Sequence, residues 1–227
     1  MRPETIRFGI LGIMAIFGAA ALWPEDPNSS GPPSAPTLRA QALGLCGLYL
    51  PCTRGDAHYE EICKDFGGIG TTCGYLPAFI YDRLGCRDPG LVNRADAAAG
   101  LVYRIGENIA DVVNGGKNDG MWRLYDPSTP PQPGDVLYFG VVDSNGGISH
   151  EHVAICVSFP SGGNGNLVTY DLGHSIQPEG SMSTRSMTSD GTVQFLGTTK
   201  RLIGIDDLSK LPITATADLT DHTLANS

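Results

Sequence analysis

The sequence predicts an α+β domain in which N-terminal helices pack on a small antiparallel β-sheet. Two observations lead there. Apolar residues recur at helical spacing up to about residue 114 and at a period of two after it, and helices followed by consecutive strands is the order of an α+β fold with antiparallel pairing. The 30 Gly and 16 Pro among 227 residues add short elements joined by many turns. Apolar residues make up 41% of the chain, enough for a packed core, so wholesale disorder is excluded. A net charge of −9 without any basic run excludes a phosphate-binding face, and with it nucleic acid as a partner.

The elements follow in order. Residues 8–23 are an uncharged apolar run behind Arg2 and Arg7, too short for the roughly 20 residues of a spanning helix but long enough for a secretory leader, with Ala19-Ala20-Ala21 as small residues at its end. Residues 1–23 are therefore expected to be a signal peptide or signal anchor, which puts the rest in the periplasm or outside the cell and allows a membrane contact at the N-terminus. Residues 24–40, rich in Pro and Ser, read as a linker, 41–213 as the folded domain and 214–227 as a flexible tail. Within the domain Tyr59, Ile62, Cys63 and Phe66 share one helical face, which predicts a helix over Ala57–Phe66 ended by Gly67-Gly68. Leu76, Phe79, Ile80 and Leu84 predict a second helix that starts just after Cys73, tolerates Pro77 in its first turn and stops at Gly85. A third is expected over Glu107–Asn114, stopped by Gly115-Gly116. Strands are expected at Val136–Val142, His152–Phe159, Leu167–Asp171, Thr192–Leu196 and Arg201–Ile205.

Three segments can do chemistry together. Cys73 stands at a predicted helix start, where unpaired N–H groups and the helix dipole favour a thiolate and can hold an oxyanion. His152 opens a strand after the turn Pro133-Gly134-Asp135, as a general base facing a helix-borne thiol would. Asp171 ends the next strand, from which a carboxylate can accept the second ring N–H of that histidine. Each alone has a plainer reading: a small core cysteine, a surface histidine, a turn aspartate. The combination of nucleophile, base and orienting carboxylate is what singles them out. Six cysteines without C-x-x-C spacing argue against a zinc ribbon, and Cys46–Cys52 and Cys63–Cys86 are conceivable bridges in an oxidising compartment. Cys156, mid-strand among Val153, Ile155 and Val157, reads as a buried inert thiol.

Cysteine at a helix start, then Pro131-Gln132-Pro133-Gly134-Asp135 leading into a strand, then His152-Val153-Ala154-Ile155, then Asp171 on the following strand resembles the NlpC/P60 and CHAP group of papain-like amidases over about residues 57–205. The resemblance implies a papain-like fold and hydrolysis of amide bonds in peptidoglycan stem peptides. It carries Cys73 to the nucleophile, His152 to the general base and Asp171 to the orienting residue, with neither metal nor organic cofactor. The partner implied is peptidoglycan or another peptide or amide substrate, joined by an inhibitor protein if the role is antagonism rather than wall remodelling. In place of the group's Asp-Cys-Ser-Gly stands Thr72-Cys73-Gly74-Tyr75, and the insertion Leu91–Asp126 is expected to shape the cleft. Two rival readings are a zinc hydrolase built on His150 and His152, whose rings share a face if both lie on the strand, and an inactive wall-binding module.

Overall fold

The structure, a computed structural model, describes residues 34–63, 72–86, 108–173 and 178–213. Its centre is β-sheet. A short strand β1 (Trp122–Leu124) is followed by β2 (Val136–Val142), β3 (Ile148–Ser158), β4 (Gly165–Leu172), β5 (Gly180–Met187), β6 (Thr192–Phe195) and β7 (Thr198–Asp206). All pairings are antiparallel, in the order β1-β7-β2-β3-β4-β5-β6, and β7 also pairs with β6. That last pairing closes β2 to β7 into a six-stranded barrel, with β1 appended to the outside of β7.

The expected α+β, papain-like packing of helices on a small open sheet is therefore corrected to a closed β-barrel accompanied by few helices. The deciding element is β5. Gly180-Ser181-Met182-Ser183-Thr184-Arg185-Ser186-Met187 carries little apolar alternation, so nothing in it signals a strand, yet it pairs with β4 over eight consecutive positions and touches β6 at Met187↔Val193. Without β5 the remaining strands form an open sheet; with it the edges meet at that single pair and the sheet closes.

Side chains alternate between two cores, as the pleat requires. Leu137, Phe139, Ala154, Cys156, Leu167, Met187, Val193, Leu202 and Ile205 fill the barrel. Val136, Tyr138, Val153, Ile155 and Leu172 point outward and pack against helices α1 (Ala35–Tyr49), α2 (Ala57–Cys63) and α3 (Tyr75–Arg83). Helix α1 begins inside the segment assigned to the linker, so the folded domain starts earlier than residue 41. Its Arg39 reaches Asp135 at 2.5 Å and Asp207 at 2.9 Å, which ties the helix to the base of β2 and the end of β7. Asp135 also accepts the Gln132 and Leu208 N–H groups, so the Pro-Gly-Asp turn is a structural clamp.

Helix α4 (Asn108–Asn118) runs straight through the two glycines expected to stop it. Gly116 serves close approach instead: a Cβ there would lie 2.0 Å from Asp206 Oδ1. The described part of the Leu91–Asp126 insertion, α4 and β1, sits on β7. The expected leader, most of the linker, the tail and the end of the first predicted helix lie outside the described residues. Among the described residues no helix is long and apolar enough to cross a membrane.

Candidate active site

Cys73 lies in a single 3-10 turn, Thr72–Gly74, that leads directly into α3. Tyr75 to Tyr81 are all buried, so α3 has no freedom to rotate and the turn before it is fixed. The register between β3 and β4 reaches only Ile155↔Tyr170 at this end, and the Val153 backbone N–H beyond it donates to the Cys73 sulfur. The cysteine thus enters where two barrel strands part.

His152 stands at the first buried position of β3 and, by the alternation, faces the barrel interior with Ala154 and Cys156. It is 8% exposed. Its Nε2 lies 2.7 Å from Asp171 Oδ1, and the ring also hydrogen-bonds the Cys73 thiol. Since Nε2 is taken by the carboxylate, Nδ1 is the ring atom left for sulfur. Phe139 and Phe195 flank the imidazole with centroids at 6.5 and 5.5 Å and limit its tilt.

Asp171 is fully buried, and its second oxygen is held as well. Thr169 Oγ1 donates to Oδ2 at 2.5 Å, and Arg185 Nη1 donates to Oδ2 at 3.0 Å and to Thr169 Oγ1 at 2.6 Å. Neither Thr169 nor Arg185 was singled out from sequence. Thr169 stands two residues before Asp171, the spacing that puts both on one face of β4, and that signal was legible. Arg185 lies on the strand the sequence hid.

The charges follow from these contacts. Burial alone would raise the Cys73 thiol, but the hydrogen bond and charge of His152, with help from Val153 N–H and Lys200, bring it below its ordinary value. Burial alone would lower His152, yet its bonds to Asp171 and Cys73 raise it to about 9. Burial would likewise raise Asp171, but His152 and Arg185 hold it well below the usual carboxylate range. All three directions favour a thiolate, an imidazolium and a carboxylate in line. By contrast burial pushes Cys156 up to about 12 and Cys63 up to about 11, as inert thiols behave.

The barrel does not bring every candidate together. The strand bulges between Phe139 and Val141, where the partner register jumps from His152 to Ser149. His150 lies in that bulge with φ 50°, exposed, against Ser149, so it does not share a face with His152. Among the described residues no three His, Cys, Asp or Glu side chains gather as metal ligands. All six cysteines are free, so neither conceivable bridge forms.

No family model, no curated protein and no solved structure matches this chain. What the site can do must be read from its own atoms. A cleft of about 460 Å³ adjoins the site, with His152 the member of the three on its wall and Ser183, Arg185, Phe195 and Lys200 around it. The cleft lies where β5 and β6 splay apart beyond Met187↔Val193. None of the residues of the Leu91–Asp126 insertion that the structure describes lines it.

Proposed function

We propose that the protein is a cysteine amidase or peptidase that works through a thioester. The Cys73 thiolate attacks an amide carbonyl carbon, and the carbonyl oxygen becomes an oxyanion received by the Cys73 N–H and a neighbouring donor. The His152 imidazolium gives its proton to the departing nitrogen, the C–N bond breaks, and the acyl group stays on sulfur. Water then attacks the thioester with its proton passing to His152, and the carboxylic acid leaves as the thiolate returns. Asp171, fixed by Thr169 and Arg185, keeps the ring in register and supports its charge. The observation that carries this reading is the continuous contact from Cys73 through His152 to Asp171, in a chain where burial pushes the thiols of Cys46, Cys52, Cys63 and Cys156 upward.

Peptidoglycan stem peptide is the substrate we propose, with export through residues 1–23, on the motif resemblance and the apolar N-terminal run. Purified wall is incubated with the wild type and with Cys73→Ala, and the released fragments are weighed by mass spectrometry. The wild type is expected to cut one kind of amide bond, and the variant to be slower by at least about 10³-fold. Equal cutting by both proteins would end the cysteine mechanism.

A further inference from the structure

The cleft differs in charge from the molecule that carries it. The chain has a net charge of −9, yet the described residues lining the cleft include Arg185 and Lys200 and no Asp or Glu. The two cations are not equivalent. Arg185 is buried and spends its guanidinium on Asp171 and Thr169, with its Cζ 4.4 Å above the Phe195 ring. Lys200 is half-buried, with Nζ 4.8 Å from the same ring centroid, and has no hydrogen bond or ion pair to any described residue. Burial, with repulsion from Arg185, pulls its pKa below the usual lysine value despite the opposing pull of Cys73 and Asp171.

A partly desolvated ammonium on the wall of a substrate cleft gains most from a single matching negative charge, and one free cation balances a monoanion rather than a phosphate dianion. We propose that the cleft is an anion subsite in which Lys200 receives a carboxylate of the substrate, so that the amide cut by Cys73 lies beside a carboxylate-bearing residue. The proposal rests on the cysteine-amidase reading and adds the substrate class to it. That carboxylate comes either from a chain terminus or from an acidic side chain. Phe195, under the ammonium, supplies a flat apolar wall for the stem that carries the charge, and the exposed Leu196 extends that wall at the lip.

Alkylation of Cys73 in the full chain tests this without knowledge of the natural substrate. Four small electrophiles are compared, with the modified cysteine located by peptide mass mapping. N-iodoacetylglycine and its amide differ only in a terminal carboxylate. N-iodoacetylglutamate α-amide and N-iodoacetylglutamine α-amide differ only in a side-chain carboxylate. At low salt and neutral pH the acid of at least one pair is expected to react with Cys73 about 10-fold faster than its neutral twin. The His152 imidazolium also attracts anions, so the decisive comparison is the ratio in Lys200→Gln, which should fall below about 2, and in Lys200→Arg, which should keep the preference. A preference in the first pair assigns a substrate that ends at the recognised residue, and one in the second pair assigns an internal acidic residue. The proposal alone is overturned if Cys73 reacts but both ratios are near one in the wild type, or if the preference survives Lys200→Gln. If Cys73 is no faster with the neutral reagents than the other cysteines, the cysteine-amidase reading falls and takes the subsite with it.

Discussion

At the scale of single residues the site is a competition between burial and pairing, and pairing wins at three neighbouring positions. Burial disfavours the charged forms of Cys73, His152 and Asp171 alike, yet each carries the charge its neighbour stabilises. The expected consequence for the proposed reaction is a bell-shaped pH profile whose two limbs belong to the coupled pair. For the proposed amidase, activity is expected to rise as Cys73 gives up its proton and to fall as His152 loses its own near pH 9. Replacing Asp171 by Asn removes the negative charge that holds the imidazolium, so the alkaline limb is expected to move to lower pH. The rate at the optimum should drop by about 10²-fold or more, measured as kcat over a pH series. A merely structural role for Asp171 would lower activity without moving that limb. Its loss also leaves Arg185 buried without a counter-charge, which is expected to cost a few kcal/mol of stability, about 3.

At the scale of elements, strands and helices differ in how openly they announce themselves. The strand β2, Val136–Val142, matches the expected bounds at both ends because its alternation is strong and its turn is marked by Pro133-Gly134. Strand β5 is silent because its inward side chains serve the site: Arg185 must face Asp171, so the face that would signal a strand is polar. Helix α4 shows the opposite error, where glycines that read as punctuation are contacts. A Cβ on Gly116 would lie 2.0 Å from Asp206 Oδ1 and 2.5 Å from its Cγ, and Asp206 is 1% exposed with no room to retreat. The neighbourhood is already costly, since burial pushes that carboxyl up to about 8. Gly116→Ala gains about 1 kcal/mol of helix propensity and loses about 1–3 kcal/mol to overpacking. The expected outcome is a lowered thermal midpoint, whereas a stop signal with no contact role would give a raised one.

At the scale of the whole molecule, one arginine joins what the sequence keeps far apart. Arg39 on α1 holds Asp135 at the foot of β2 and Asp207 just past β7. Asp135 is 1% exposed, so removing its cationic partner leaves a buried carboxylate with only backbone donors. Arg39→Ala is expected to lose about 3 kcal/mol in urea unfolding with little change in slope. A loss under about 0.5 kcal/mol would mean the pair behaves as a surface contact.

The chain's linear order was enough to name Cys73, His152 and Asp171, because helix starts and strand ends are local features and each residue type there has a chemical use. Thr169 is legible by the same two-residue spacing. Barrel closure and the roles of Arg185 and Lys200 had no such local mark. Closure depends on edges meeting across the sheet. A charged side chain on a weakly patterned strand reads as solvent-facing until a buried carboxylate or a cleft is known to lie opposite. Local periodicity determined the candidate chemistry. Only the tertiary structure decided the architecture around it and which charges line the cleft, because burial and pairing between distant residues set both.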